Sequence, residues 1–309
     1  MTASDTMNHT ERIFQFDRET FREKFPHKGF KLRHQLCNHP LLELPRLEKL
    51  IQALPQDKVE YHSGAVGFTV EKKTYPSNGL SIADTIRRLE EVPSWVALRN
   101  VEADPEYREL LHDMLAEVRD QITGLPCEHW MRDMHRLYAF IFISSPGTVT
   151  PCHVDDEHSF LSQVRGAKQI AMWDEEDRAV MSEEQAESML EFFHDEEYDC
   201  YLPYKDEFLP RATMFDLTPG ESLHFPFGAP HWVRNGNEVS ISFSITYRSL
   251  RAEKQAVVYH LNKRLRRFGL QPTPPFQSGW RDAVKVGSFL AARNAARLLR
   301  GTRSQDKWS

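Results

Sequence analysis

Long apolar runs are missing from this 309-residue chain. None approaches the ~20 residues that a bilayer-spanning helix needs, so a membrane-embedded protein is not expected. The opening stretch, MTASDTMNHTERIF, has neither the basic start nor the apolar centre of a secretory leader. Cysteine is scarce: four residues, at 37, 127, 152 and 200, without a C-x-x-C spacing. That argues against a disulfide framework or a cysteine-built zinc site, and fits free thiols in a reduced, cytoplasmic setting. The glycine signatures of nucleotide-binding loops and the serine-hydrolase elbow G-x-S-x-G do not occur. Internal repeats and low-complexity tracts are absent too.

What is present is an ordinary globular composition, 40% hydrophobic and 27% charged, with length enough for a substantial core. The net charge of −6 hides an asymmetry. Residues 248–309 carry 14 Lys or Arg against Glu253, Asp282 and Asp306, so 14 − 3 leaves +11, while residues 174–199 contain DEEDR and DEEYD. The two blocks could neutralise each other within the fold or across a homodimer, or the basic block could face an anionic partner such as a membrane surface. Nucleic acid is the least favoured partner, because the chain is acidic overall and carries no recognition motif.

Periodicity divides the chain into three. Residues 1–125 read as a mostly helical N-terminal region. Ser81-Ile-Ala-Asp84 is a helix start, and Asp104-Pro105 places an N-cap before a first-turn proline. Leu110, Leu111, Met114, Leu115 and Val118 form a core-facing stripe. Ser94–Arg99 reads as a short strand. Residues 126–250 change character, with short β-branched and aromatic runs separated by Gly/Pro turns. They predict a mainly β fold with flanking helices and a double-sheet jelly-roll core. Asn235-Gly236 reads as a hairpin turn, and residues 182–193 as an acidic helical insertion. Residues 251–309 read as a basic helical C-terminal region. Its stretch 283–300 places Val286, Phe289, Leu290 and Leu298 opposite Arg293, Arg297 and Arg300.

The chemistry concentrates in Val149-Thr-Pro-Cys-His-Val-Asp155. His153 and Asp155 are two residues apart, so on an extended strand their side chains leave the same face. With His231, on a later strand-like stretch, they make two imidazoles and one carboxylate, the set that holds Fe(II) with positions open to substrate and O2. Cys152 should point the other way and pack. His224 and His158 compete with His231; the first reads as packed or next to a cosubstrate, the second as surface or supporting. Tyr138, Phe140 and Phe142 alternate on one strand face, as plain aromatic core or as pocket lining.

The run V-T-P-C-H-V-D-x4-F-L-x-Q-V-R-G-x-K, followed by P-G-E-S-L-H-F-P-F-G-A-P-H-W-V, resembles the core motifs of the cupin-like jumonji-C (JmjC) Fe(II)/2-oxoglutarate-dependent oxygenases. It is most similar to the asparaginyl hydroxylases of hypoxia-inducible factor. The resemblance covers about residues 137–247. It implies a double-stranded β-helix, with His153, Asp155 and His231 as iron ligands. Thr150 and Lys168 would hold the distal carboxylate of 2-oxoglutarate. At two positions where the family often has Asn the chain has Ser159 and Thr246, which could still reach the cosubstrate, and Ala229-Pro230 replaces two bulkier residues. The implied activity is a dioxygenase, a hydroxylase in preference to an N-demethylase, using O2 and 2-oxoglutarate. Its prime substrate could be a protein side chain, a small metabolite or a lipid-linked sugar. The alternatives are a cupin-like metal- or ligand-binding regulatory protein without turnover, and a metal-dependent isomerase or thiol oxygenase of the cupin kind.

Overall fold

The computed structural model describes residues 12–70, 75–191 and 200–300. Among them are twelve strands: β1 (Phe14–Gln15), β2 (Phe30–His34), β3 (Val59–Ser63), β4 (Ser94–Leu98), β5 (His135–Ser144), β6 (Val149–His153), β7 (His158–Arg165), β8 (Lys168–Met172), β9 (Thr213–Leu217), β10 (Glu221–Phe225), β11 (His231–Asn235) and β12 (Ser240–Arg248). The helices are α1 (Arg18–Lys24), α2 (Leu44–Ala53), α3 (Ile82–Arg87), α4 (Pro105–Ile122), α5 (Glu128–Met131), α6 (Glu183–Met189), α7 (Leu250–Arg267) and α8 (Gly279–Arg300).

Two antiparallel sheets form, in the orders β1-β2-β10-β7-β12-β5-β4-β3 and β6-β11-β8-β9. From β5 onward the chain passes between the sheets at every connection except β8–β9. Four strands of the larger sheet thereby face all four of the smaller one, which is the double-stranded β-helix, a cupin-like jelly roll. The expected hairpin at Asn235-Gly236 is not one. β11 pairs with β6 and β8, and β12 with β5 and β7, so this turn carries the chain across the sandwich. Turn chemistry specifies a reversal, not which sheet receives the next strand. At Gly166, another such crossing, φ is +68° and a Cβ would lie 2.7 Å from the Val239 carbonyl, so glycine is required.

The N-terminal region holds α1, α2, α3 and α4, and four short strands beside them. It supplies β1 and β2 to one edge of the larger sheet and β4 and β3 to the other. These strands are two to five residues long, too short for a period-2 signal to stand out. Asp104 does cap α4, accepting from the Glu106 N–H, and Leu110, Leu111, Met114, Leu115 and Val118 are buried as the stripe predicts. They pack on the outer face of the larger sheet, against Ile141, Ile143, Phe160, Phe243 and Ile245. A second apolar layer lies between the sheets (Leu161, Ile170, Leu217, Leu223, Val233), and a third outside the smaller sheet under α6 and α7. Cys152 belongs to that third layer, on the face opposite His153, as expected.

The opposite charge blocks meet within the fold. Arg266 of α7 donates to Glu187 of α6 at 2.7 Å, and Glu191 accepts from both His260 and Lys263. No described helix is long and apolar enough to cross a membrane. Residues 192–193 of the expected acidic insertion, and the side chains of Arg297, Leu298 and Arg300, lie outside the described residues.

Candidate metal centre

β6 and β11 are neighbours, with His153 directly opposite His231. Their rings sit 4.1 Å apart between centroids. β6 ends at His153, but the chain stays extended beyond it, because the Val154 N–H donates to the Cys200 carbonyl and the Leu202 N–H to the Cys152 carbonyl. Asp155 therefore still emerges on the side of His153. Its two oxygens lie 3.8 Å from His153 Nε2 and 3.7 Å from His231 Nε2. All three groups offer ligand atoms within 4.8 Å of one another.

Both imidazoles are oriented by backbone. His153 Nδ1 is 2.8 Å from the Pro151 carbonyl and His231 Nδ1 is 2.9 Å from the Ala229 carbonyl. A carbonyl only accepts, so each Nδ1 carries the proton and each Nε2 turns its lone pair toward Asp155. Burial, reinforced by the neighbouring His153, pushes His231 down to about 4 and keeps it neutral, the form that ligates. Phe225 packs on the His231 ring at 4.6 Å. The sequence gives no direct signal for these carbonyls, because backbone acceptors carry no side-chain signature.

A β-bulge decides where Thr150 points. His231 is opposite His153 and Val233 is opposite Thr150, so two residues of β11 face three of β6. Opposed residues share a face, and the extra residue restores Thr150 to the side of His153 despite their odd spacing. The same face of the smaller sheet carries Met172, Ile170 and Lys168. Across the interior, Ser159 and Thr246 are directly opposed on β7 and β12.

Lys168 is buried and reaches across the sandwich, donating to Ser242 Oγ at 2.6 Å, which in turn donates to Gln163 Oε1 at 2.7 Å. Among the described residues no carboxylate pairs with this ammonium, and burial alone pushes it down to about 7. A buried cation with only neutral partners is poorly compensated and fits an incoming anion. Neither other basic residue near these strands takes that place. Arg248 is committed to Asp156, and Arg234 lies over the rings of Phe68 and Trp232 on the outer face.

The competing histidines are elsewhere. His224 is fully buried between Phe25, Phe30 and Phe160 on the outer face of the larger sheet, packed and not beside the site. His158 is not at the surface, as one reading had it. It is 3% exposed, stacks on Tyr247 and accepts from the Phe227 N–H. Tyr138, Phe140 and Phe142 face the interior opposite Thr246, Ser244 and Ser242, and the first two line an open cavity, so lining describes them better than core. Sequence reasoning missed Ser242 and Gln163, the partners of Lys168. The alternation Ser240, Ser242, Ser244, Thr246 was the available signal.

No family model matches the chain, and no curated protein does. Solved structures similar to it include Escherichia coli YcfD, at 16% identity and a TM-score of 0.49, covering 91% of this chain and 69% of that one. Another is YcfD described as a ribosomal oxygenase in complex with cobalt and 2-oxoglutarate, at 14% identity and a TM-score of 0.42, covering 92% and 68%. These matches fall below the level at which a likeness bears on function.

Proposed function

We propose that this protein is a non-haem Fe(II)- and 2-oxoglutarate-dependent dioxygenase, most simply a hydroxylase. One observation carries the reading. A metal-ready His–Asp–His set and an uncompensated buried ammonium share one interior face of a jelly roll. A metal-storing cupin has use for the first feature and none for the second, and a three- or four-histidine cupin site does not match the carboxylate of Asp155.

The donor set fits a divalent iron: two imidazoles, each fixed by a backbone carbonyl, and one carboxylate. His153, Asp155 and His231 would hold it, and when bound it supplies activation of O2 coupled to decarboxylation of the 2-oxo acid. The chain's own residues do the rest. Lys168 donates to the distal carboxylate of the cosubstrate, and Ser242 and Gln163 keep the ammonium aimed. Thr150, on the same face, is placed to add a hydroxyl donor, with Ser159 and Thr246 bordering the bound molecule from the facing sheet. Leu161, Ile170, Leu223 and Val233 exclude water between the sheets, which strengthens each charge-assisted hydrogen bond. The test is succinate formation from 2-oxoglutarate under Fe(II) and O2. His153→Ala and Asp155→Ala should each abolish it in a folded protein; undiminished turnover in either refutes the assignment.

A further inference from the structure

A run of aromatic rings in contact leads from the metal centre along the inner wall of the jelly roll. Tyr201 is paired opposite His153 and so shares that residue's face, with ring centroids 6.1 Å apart. Tyr75 meets Tyr201 at 5.8 Å and stacks on His62 at 3.9 Å, and His62 stacks in turn on Trp95 at 4.7 Å. Phe142 lies 5.9 Å from Trp95, and Phe140 6.2 Å from Phe142 with their planes 8° apart. Strand pairing puts these rings on one surface. His62 is opposite Trp95 on β3 and β4, and Ala97 is opposite Phe142 on β4 and β5, all on the interior side. We infer that this wall receives a flat, uncharged ring of the prime substrate, an aromatic or heteroaromatic group in contact with Trp95, Phe142 and Phe140. The inference rests on the oxygenase reading of the neighbouring triad and assigns its substrate class.

The two sides of β4 and β5 differ in how well they are covered. Val96, Leu98, Ile141 and Ile143 on the outer side are closed off from solvent, as core requires. On the inner side Trp95, Phe140 and Phe142 stay partly exposed, as do Tyr75 and Tyr201, and His62 in the middle of the stack is buried. Partly exposed rings gathered beside a metal-ready site are surface that a ligand has still to cover. Phe140, at the end of the run, also lines the open cavity of about 700 Å³, which has room for a ring. The wall itself offers little charge. On β3, β4 and the stretch Tyr138–Ser144 of β5, the one acid or base on this side besides His62 is Glu60, and Arg99 binds it. Burial lowers the pKa of His62 and favours its uncharged form. An aliphatic group would gain only its burial against these rings, whereas an aromatic one gains edge-to-face or offset-stacked contact as well.

The experiment sets an aromatic probe against a saturated one that is more hydrophobic. Dissociation constants of Nα-acetyl-phenylalanine methylamide and Nα-acetyl-cyclohexylalanine methylamide for the full chain are measured by ligand-observed NMR, with Nα-acetyl-arginine methylamide as a cationic probe. Burial alone would favour the cyclohexyl group, so a preference for phenyl reports on the rings. The wild type should bind the phenyl probe about fivefold more tightly than the cyclohexyl probe, and more tightly than the cation. Phe140→Leu and Trp95→Leu should each erase the preference for phenyl, and Phe268→Leu, at an exposed ring where α7 ends, should keep it. Equal binding of the two neutral probes, tighter binding of the cyclohexyl or cationic probe, or no binding of the phenyl probe overturns the inference. So does a preference that survives in either wall variant or is lost in Phe268→Leu. Should Trp95→Leu not fold, Phe140→Leu decides, and should neither fold, the wild-type comparison decides alone. Succinate formation is assayed in parallel. Phenyl preference without turnover would remove the oxygenase reading and leave the ring site, whereas turnover without preference would do the reverse.

Discussion

The two faces of β12 differ in chemistry although both are buried. Ile241, Phe243, Ile245 and Tyr247 point outward, and Ser240, Ser242, Ser244 and Thr246 point inward, yet every residue of the strand is buried. In most sandwiches the apolar face meets the facing sheet and the polar face meets water. Here the assignment is reversed. The helical layer covers the outside, so the apolar side chains make the main core there. The inside is free to be small and polar around a ligand. Stability and chemistry are thus divided between opposite sides of one strand, and substitutions on the two sides should report different things.

The largest expected difference is in stability. Phe243 is fully buried in the layer shared with α4, so Phe243→Ala should lower the unfolding free energy by about 3–5 kcal/mol. One residue on, Ser244→Ala removes a hydroxyl that faces the ligand space and should cost under about 1 kcal/mol. Urea unfolding of the pair checks this. Comparable losses would mean that the inner face is structural core after all.

Lys168 sharpens the comparison because its effects should have opposite signs. Lys168→Met removes the counter-charge of a desolvated carboxylate, worth about 3–5 kcal/mol, so the dissociation constant for 2-oxoglutarate should rise by about 100-fold or more. The same change removes a buried, uncompensated ammonium, and should stabilise the unliganded fold by about 1–3 kcal/mol. Calorimetric titration and thermal melting read the two effects separately. A variant that binds normally, or one that loses binding and stability together, would show that Lys168 is part of the scaffold.

Much of this division was legible in the residues. The i, i+2 pair of His153 and Asp155, the strand-borne His231 and the alternation of β12 all depend on local periodicity, which sequence preserves. What was not legible depends on partners distant in the chain. The bulge that returns Thr150 to the site is a matter of pairing between β6 and β11. The strands at 30–34 and 59–63 owe their existence to sheet edges supplied by residues 188–194 and 31–39 positions away, respectively. His158 and His224 read as candidate ligands because imidazole looks alike whether it coordinates or packs. Only the pairing His158↔Tyr247 puts the first on the outer face.

Proton linkage separates Lys168 from a solvated lysine. Its folded value of about 7 lies below the ordinary 10.5 of the unfolded chain. Between those values the unfolded state holds a proton that the native state lacks, so stability should rise as pH increases across that window. Binding a dicarboxylate favours the ammonium, so at pH 8 binding should take up a proton, approaching one per 2-oxoglutarate. Titrations in buffers of different ionisation enthalpy measure that uptake, and Lys168→Met should abolish it. Uptake that persists in the variant would place the titrating group elsewhere.

The smallest effect concerns the polar intruder on the apolar face. His224 Nδ1 donates to the Lys28 carbonyl at 3.1 Å, but its Nε2 is buried without a partner, facing a shell of Phe25, Phe30 and Phe160 with His27 and His158 nearby. Burial pushes its value down to about 3. Below the ordinary 6.5 the unfolded chain takes up a proton that the native state refuses, so His224 costs stability progressively as pH falls from 6.5 toward 3. His224→Phe loses one hydrogen bond and one unsatisfied nitrogen, which should nearly cancel at pH 8. At pH 5 the variant no longer bears the protonation cost, and should exceed the wild type by about 1–2 kcal/mol, given 1.36 kcal/mol per pH unit. Unfolding at the two pH values tests this directly. An equal difference at both would assign the acid sensitivity to His158 or His27, and leave His224 as packing alone.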